Sequence, residues 1–383
     1  AEYMLNISLH TVVPAFMFWW LVGAEVSGVG REESRVEITA NPVTKTVALA
    51  LFGACVLVVL WQGAVLSSQY LAFRGQKQMA RKNSTAAQKD LKEALHLYPA
   101  NTEAGFALGN SLLAEENYEE ALEAYERTIS AAAYYDQVYY HAALAALGKN
   151  DHAKAVHYLR KTLKLDPFNL GAYETLAELA KEDIIYADTE TMDLLEQGVK
   201  LFRYDAGLWH AVGAIYIKRG ETEYAKTVYK DALTVDTLDK SLRRSLDKLY
   251  TTEEEQPEIL LQAKQLQGYY DKVQNLRGTS RAGLRQLRSQ LEAYMEKYPD
   301  DPNGPILLAR YFSLTGNDIK SKELLDGVLA KQPDNLSANL ALSALLLQAE
   351  DVNAAKKYLQ NALFYYPGNR TAQNRLQRLE EKQ

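Results

Sequence analysis

Two long apolar runs open the chain. The first run, residues 5–24, contains only a few polar side chains, and the second run, residues 47–67, carries no charged side chain over 21 positions. At about 1.5 Å of helix per residue, each run is long enough to cross the roughly 30 Å hydrocarbon layer of a bilayer. We therefore predict two transmembrane helices, within residues 1–30 and 46–68, joined by a short polar loop at residues 31–45. The alternative for each run is a helix buried in a soluble core.

The charges that flank these runs predict an orientation. The loop between them carries Arg31, Arg35 and Lys45, whereas no basic residue precedes the first run. Because short cytoplasmic loops are enriched in Lys and Arg, we expect this loop in the cytoplasm, although four basic residues after the second run favour the opposite orientation. We therefore predict an integral protein of a bacterial inner membrane, in contact with lipid through residues 5–24 and 47–67, with its C-terminal domain in the periplasm.

A 34-residue spacing recurs through the rest of the chain. Small residues and prolines repeat at this interval, namely Ala87, Ala121 and Ala155 in one stretch and Pro299, Pro333 and Pro367 in another. This interval is the period of a helix-turn-helix solenoid repeat. The chain has only 21 Gly and 10 Pro, and abundant Ala, Leu, Glu and Lys favour helix outside the turns. The predicted fold class is all-α, a helical-hairpin solenoid that follows two N-terminal transmembrane helices.

The repeat pattern divides the solenoid into parts. The pattern is clear over residues 70–237, fails over residues 238–280, and resumes over residues 281–367. We name residues 70–237 sub-array 1 and residues 281–367 sub-array 2, and we predict an irregular helical connector between them. A polar segment at residues 368–383 is predicted to form a capping helix that keeps the open end of the solenoid soluble.

One repeat matches a known motif closely. Its first helix carries Trp209, Gly213 and Tyr216 at the spacing W-x2-L-G-x2-Y, and its second helix carries Ala225 and Tyr229. Small residues let two helix backbones approach, while aromatic rings fill the space between neighbouring hairpins. The chain therefore resembles the tetratricopeptide repeat family over most of its length after the second apolar run. This resemblance implies a right-handed superhelix whose first helices line a concave groove for a peptide or a partner helix.

Groove positions carried over from the family give the candidate partner-binding residues, which are Phe106, Asn110, Tyr140, Leu144, Glu174, Glu178, His210 and Ala214. They form a mixed apolar and acidic surface without the run of Lys and Arg that would clamp a partner's C-terminal carboxylate. A nearby tyrosine cluster at residues 134, 135, 139 and 140 has two interpretations. It is either interhelix packing or a stacking platform for a sugar or a peptide.

Composition and the absence of known sequence motifs exclude several kinds of binding and catalytic site. With 43 basic and 49 acidic residues and no basic block, the chain is not expected to bind nucleic acid. Cys55 is the only cysteine, which excludes a disulfide framework or a thiolate metal cluster within this sequence. No two of the six histidines are spaced i, i+4, and no hydrolase, phosphate-binding or dinucleotide-binding motif occurs. We therefore predict no catalytic residue, no cofactor and no metal site.

A narrower resemblance concerns the order of two apolar runs, a short charged loop and repeats that begin directly after the second run. The segments at residues 8–23 and 66–80 are similar to the C-terminal portion of O-antigen ligase or polymerase family membrane proteins that carry tetratricopeptide tails. The resemblance implies periplasmic repeats and an association with lipid-linked or surface polysaccharide. The family's catalytic loop would lie upstream of Ala1, so no catalytic role is transferred to these residues.

Two functions are therefore carried forward. The first is a membrane-anchored scaffold without catalysis of its own, which binds protein partners and assembles a complex of the membrane or envelope. The alternative is the C-terminal part of a glycosyltransferase that acts on lipid-linked polysaccharide, which would make polysaccharide a partner. A receptor or assembly factor that faces the cytoplasm is a third interpretation.

Overall fold

The computed structural model describes residues 42–132, 136–252, 254–276 and 278–381. All regular elements in these residues are helical, which confirms the predicted all-α class. The chain divides into two compact units, Ala1–Leu66 and Ser67–Gln383. The predicted first membrane helix, most of the loop that follows it, and Tyr134 and Tyr135 of the tyrosine cluster lie outside the described residues.

Eighteen α-helices follow one another in the described part of the chain: α1 (Pro42–Ala80), α2 (Ser84–Leu97), α3 (Thr102–Ala114), α4 (Tyr118–Ala131), α5 (Asp136–Gly148), α6 (His152–Leu165), α7 (Leu170–Glu182), α8 (Thr189–Leu201), α9 (Ala206–Lys218), α10 (Thr222–Val235), α11 (Lys240–Asp247), α12 (Glu258–Gln274), α13 (Arg281–Lys297), α14 (Asn303–Leu314), α15 (Asp318–Lys331), α16 (Leu336–Gln348), α17 (Val352–Tyr365) and α18 (Arg370–Glu380). A 3-10 turn, Ile184–Tyr186, lies between α7 and α8. In sub-array 1 the hairpins α3/α4, α5/α6, α7/α8 and α9/α10 each consist of a first and a second helix. In sub-array 2 the corresponding hairpins are α14/α15 and α16/α17.

Close contact within a hairpin depends on glycine. A Cβ atom at Gly109 of α3 would overlap the ring of Tyr125 of α4, and one at Gly213 of α9 would overlap the ring of Tyr229 of α10. The two tyrosines are 0% and 2% exposed. Since only glycine leaves room for the ring at these positions, the alternation of small and aromatic residues in the sequence is a direct requirement of the packing.

The same turn occurs between α1 and α2 and inside every hairpin named above except α7/α8. Six turns place one residue in the left-handed region, with φ between 59° and 80°, namely Lys82, Glu116, Asn150, Gly220, Gly316 and Glu350. At the α3/α4 turn the N–H of Glu116 donates to the carbonyl oxygen of Leu113, and the N–H of Asn117 donates to that of Leu112. These bonds satisfy carbonyl groups that the end of a helix leaves free.

Between hairpins, a short corner leads from a second helix to the next first helix. The residue that ends the corner caps the following helix by accepting a hydrogen bond from the N–H three residues on, at Asn101, Asn169, Asp205, Asn335 and Asn369. Four of these corners carry a proline two residues before the residue that ends them, at Pro99, Pro167, Pro333 and Pro367, and the α13–α14 corner carries Pro299 three residues before its last residue. Proline stops the preceding helix because it has no N–H to donate.

The apolar core differs along the solenoid. One continuous cluster of buried side chains runs from Leu71 to Ala263. Beyond it the buried side chains fall into three separate clusters, within residues 266–312, 309–355 and 359–372. The first boundary falls inside α12, so the predicted connector contributes side chains to both sides of it.

A buried polar network joins the two sub-arrays at the connector. The carboxylate of Asp301, a residue 8% exposed, accepts hydrogen bonds from Thr237 Oγ1 (3.1 Å), Gln262 Nε2 (2.9 Å), Tyr294 OH (2.5 Å) and the backbone N–H of Asn303 (2.9 Å). Four donors satisfy a carboxylate that burial would otherwise destabilise. The network holds the α10–α11 corner against the α13–α14 corner.

Ion pairs distinguish the outer surfaces of the two sub-arrays. In sub-array 1 some ion pairs lie within one helix, but four join neighbouring second helices, namely Lys92–Glu120 (3.4 Å), Lys154–Glu126 (2.9 Å), Arg160–Glu190 (3.0 Å) and Lys164–Glu190 (2.5 Å). Within the described residues of sub-array 2 the ion pairs Arg288–Glu292 and Lys322–Asp326 each lie on a single helix.

Candidate partner-binding groove

The candidate groove lies on the first helices α3, α5, α7 and α9. Helix α3 packs on α5, and α7 packs extensively on α9. Each of these helices buries one face against its own second helix, and the candidate residues lie on the remaining face. All eight are half-buried or exposed. The sequence therefore selected positions that keep contact with solvent while their neighbours along the helix are buried.

Aromatic rings connect α3 to α5. The rings of Phe106 and His141 lie 5.0 Å apart between centroids at an angle of 88°, an edge-to-face geometry that stabilises aromatic pairs. The ring of Tyr125 lies 6.1 Å from that of His141, and its hydroxyl donates to Asn110 Oδ1 over 2.7 Å. Asn110 is therefore held by the second helix, with part of its amide open to solvent.

Tyr140 connects α5 to α7. A Cβ atom at Gly171 of α7 would lie 2.6 Å from the hydroxyl of Tyr140, so any larger residue at position 171 would displace the end of this side chain. Tyr140 and Leu144 are both half-buried and continue the apolar strip along α5. Tyr139, next in sequence, is 7% exposed and lies 6.3 Å from the ring of Tyr158, which is the interhelix packing that one interpretation of the tyrosine cluster predicts.

Two carboxylates lie on α7. Glu178 is exposed and pairs with Lys181 on the same helix at 2.5 Å. Partial burial raises the pKa of the Glu174 carboxyl, and the neighbouring carboxylate of Asp205 raises this pKa further, whereas the guanidinium of Arg370 lowers it. The middle of the strip therefore has a negative potential that favours a cationic side chain.

His210 and Ala214 on α9 end the strip. The His210 ring lies 5.8 Å from the ring of Tyr229, and its Nε2 atom is buried without a hydrogen-bond partner. Burial lowers the pKa of the imidazole, while the carboxylate of Asp239 opposes this shift. The ring is therefore neutral at pH 7 and keeps a buried polar atom without a hydrogen-bond partner in the described residues.

The structure brings the eight candidates onto four neighbouring helices as a strip and not into one closed pocket. Within the described residues, no group of three or more His, Cys, Asp or Glu side chains is placed to hold a metal ion. Sequence reasoning missed His141, which follows Tyr140 on α5 and contacts the Phe106 ring. It also missed that Arg370 of α18, near the C-terminal end of the chain, lines the same cavity as Glu174 and lowers the pKa of its carboxyl.

A strip of half-exposed side chains on the first helices of stacked hairpins defines a protein-interaction module built from helical repeats. Family models described as tetratricopeptide repeat match residues 74–136 and 136–169. Residues 74–169 therefore carry tetratricopeptide repeats, as the spacing of small and aromatic residues predicted. No curated protein matches the chain in sequence.

Solved structures with similar helical arrays have low sequence identity. A crystal structure of MamA protein is 17% identical, with a TM-score of 0.39, over 49% of this chain and 96% of its own. The P58(IPK) TPR domain is 16% identical, with a TM-score of 0.26, over 82% of this chain and 97% of its own. Yeast Tom70 is 15% identical, with a TM-score of 0.31, over 84% of this chain and 55% of its own. At these TM-scores the likenesses carry no further argument.

Proposed function

We propose that the protein is a membrane-anchored scaffold that holds a protein partner in the groove of sub-array 1. The observation that carries the proposal is the strip itself, in which Phe106, Tyr140 and Leu144 offer half-buried apolar surface beside the carboxylates of Glu174 and Glu178. A helix or extended segment that combines apolar side chains with a positive charge matches this surface.

Membrane anchoring is supported by the unit Ala1–Leu66. One helix, Phe52–Ala80, is long and apolar enough to cross a membrane by length and composition. Within the unit, large apolar side chains on this helix are mostly exposed, for example Phe52 at 64%, Leu57 at 68%, Leu60 at 65% and Trp61 at 59%. Such a surface is unfavourable in water and favourable in lipid, which supports the membrane interpretation over a buried core helix.

The cellular setting follows from the charge pattern. We propose that the anchor lies in a bacterial inner membrane, that the repeats face the periplasm, and that the partner belongs to a membrane or envelope complex. Positive charges in the loop at residues 31–45 support this orientation. The polysaccharide-ligase alternative stays a prediction from the sequence, since no observation on the described residues favours it.

A matched pair of variants tests the groove. Leu144→Glu places a charge in the apolar strip, whereas Lys161→Glu changes an exposed residue on α6, the second helix of the same hairpin. Both full-length variants are expressed in the native host, checked for wild-type helix content, and purified with whatever remains bound. We expect Leu144→Glu to reduce the yield of the dominant co-purifying protein about tenfold or more, as for an interface residue at the centre of a contact, and Lys161→Glu to leave it unchanged. Equal yields from the two variants would contradict the proposed groove.

A further inference from the structure

The corner sequences show where the solenoid departs from its own pattern. Among the described corners, proline is replaced at two positions, by Arg203 at the α8–α9 corner and by Thr237 at the α10–α11 corner. Thr237 donates to Asp301 of a distant corner. Arg203 likewise contacts a distant corner, because its Nη2 atom lies 2.8 Å from Oδ2 of Asp334 at the α15–α16 corner. At both positions, the replacement of proline coincides with a contact between corners that are far apart in sequence.

A second contact accompanies the Arg203–Asp334 ion pair. The rings of Tyr204 and Tyr366 lie 5.0 Å apart at 83°, and the hydroxyl of Tyr366 donates to Asp334 Oδ2 over 3.3 Å. The guanidinium of Arg203 lies 5.0 Å from the centre of the Tyr204 ring. Tyr366 is only 9% exposed. An ion pair, an edge-to-face ring pair and a hydrogen bond therefore join three corners, and the cation–π contact lies within one of them. We name the set Arg203, Tyr204, Asp334 and Tyr366 the clasp.

Each side of the clasp is held rigidly by its own hairpin. The indole Nε1 of Trp209 donates to the carbonyl oxygen of Arg203 over 2.8 Å, and Phe202 is buried against the ring of Tyr173. On the opposite side Asn335 is 1% exposed and caps α16 through the N–H of Ala338. Because neither corner must be ordered when the contact forms, little conformational entropy opposes it.

The clasp brings the C-terminal corner over the groove. A Cβ atom at Gly368 would lie 3.1 Å from Cδ2 of Leu170, so glycine allows the corner to approach α7. Arg370, the first residue of α18, is near enough to lower the pKa of Glu174. Between them lies a cavity of about 400 Å³ whose lining includes Glu174, Asp205 and Arg370. The acidic part of the strip is thus partly covered by a basic residue of the same chain.

We propose that this corner of the chain, residues 366–370, occupies the acidic middle of the groove and gates it, with Arg370 in the place of a cationic side chain of the partner. The proposal rests on the proposed function of the groove. A partner with a Lys or Arg at the matching position competes with Arg370, and the clasp must open to admit it. The affinity of the groove for its partner is therefore reduced by the fraction of molecules in which the clasp is closed.

The opening of the clasp is measured by pulsed electron–electron double resonance on the full chain in detergent. Nitroxide labels are attached at Lys200→Cys and Gln360→Cys, two exposed positions on α8 and α17 outside the clasp, in a Cys55→Ser background. Asp334→Arg replaces the attraction between Arg203 and Asp334 by a repulsion between two arginines. We expect a second, longer distance between the two labels, from an open population roughly ten times that of the parent protein. Adding Arg203→Glu to Asp334→Arg restores an ion pair of opposite polarity and returns the single distance.

The control is Asp326→Arg, since Asp326 pairs only with Lys322 on its own helix in the ion pairs that the structure describes. We expect it to give the distance distribution of the parent. An unchanged distribution in Asp334→Arg, the same change in Asp326→Arg, or a double variant that stays open would overturn the proposal. This measurement needs no partner, so it tests the clasp separately from the groove. If the labels report a closed clasp but the Leu144→Glu variant binds its partner normally, the proposed groove is refuted and the clasp is not. If the groove and the clasp are both confirmed, Asp334→Arg raises the yield of the co-purifying partner severalfold.

Discussion

The two sub-arrays follow the same hairpin plan with different degrees of integration. In sub-array 1 every hairpin contributes to one buried cluster, and ion pairs join its second helices. In sub-array 2 the buried side chains form separate clusters. The ion pairs described between its own residues stay within single helices, while Asp334 pairs with Arg203 of sub-array 1. Because a solenoid is stabilised by contacts between neighbours, the stronger contacts of sub-array 1 make it the more cooperative part. Sub-array 2 is expected to open in smaller pieces.

The largest effects come from equivalent leucines in the two regions. Leu159 and Leu359 occupy the same position of α6 and α17, and both are 0% exposed. Replacing either by Ala costs about 2–5 kcal/mol of local stability, the range for a buried leucine. Hydrogen exchange should rise across several hairpins in Leu159→Ala and only across α16–α18 in Leu359→Ala. An increase that spreads equally far in both variants would contradict the difference between the sub-arrays.

The next effect concerns Asp236 in the α10–α11 corner, where the two sub-arrays are joined. Burial, with smaller contributions from the carboxylates of Asp239 and Asp301, raises the pKa of Asp236 to about 6, although the hydrogen bond from the N–H of Leu238 lowers it. The pKa of Asp236 in the folded protein lies above the unfolded value of 3.8. The contribution of this carboxyl to folding stability is therefore fully present below about pH 4 and is lost as pH rises through 6. Asp236→Asn keeps an oxygen that can accept from the N–H of Leu238, and it should stabilise the protein by about 2 kcal/mol at pH 7.

The check is thermal or denaturant unfolding of the Asp236→Asn protein at pH 7 and at pH 4. We expect the stabilisation at pH 7 to vanish near pH 4, where the wild-type carboxyl is protonated in both states. A variant that is equally stabilised at both pH values would show that the benefit does not come from the carboxylate.

A smaller effect separates the two kinds of ion pair. Arg160 is bonded to Asp188 (2.6 Å), Glu190 (3.0 Å) and Thr191 (2.6 Å) of the next hairpin. We expect Arg160→Ala to cost about 1 kcal/mol, measured by denaturant unfolding, and Arg288→Ala, which breaks a pair within one helix, to cost less than about 0.5 kcal/mol. Costs in the reverse order would mean that the ion pairs between helices do not integrate sub-array 1.

The smallest effect tests the hairpin turns. Glu116 and Glu350 adopt left-handed φ values of 60° and 61°, where a Cβ atom is disfavoured. Glu116→Gly and Glu350→Gly should each stabilise the protein by about 0.5 kcal/mol, once the greater freedom of glycine in the unfolded chain is subtracted. Native-state hydrogen exchange should slow around α16 and α17 in Glu350→Gly. Faster exchange there would indicate that the glutamate side chain stabilises the turn.

The sequence predicted those features that depend on local packing. The pairing of Gly213 with Tyr229 is a requirement inside one hairpin, and the same pairing recurs between Gly109 and Tyr125 in another. Such local requirements made the class and the hairpins recognisable. Groove residues could be named because they share a phase with the repeat. The position of His141 against Phe106 was missed, because the pattern gives the helix face and not the rotation of a ring.

Contacts between distant corners could not be predicted in the same way. Arg203 and Asp334 lie in different sub-arrays, and no periodic pattern connects them. The missing proline at Arg203 is a signal in the sequence, yet it identifies only one side of the contact. The partner depends on the curvature of the whole solenoid, which sums small rotations between many hairpins.

The central claim is that partners bind the first helices of sub-array 1. Its most direct test is site-specific photo-cross-linking of the full chain in its native membrane, with a benzophenone amino acid placed in turn at Leu144, Glu178 and Ala214 on first helices and at Lys161 and Lys200 on second helices. The account predicts that the same partner is cross-linked from the three first-helix positions and from neither second-helix position. Cross-links that form only from Lys161 or Lys200 would contradict it.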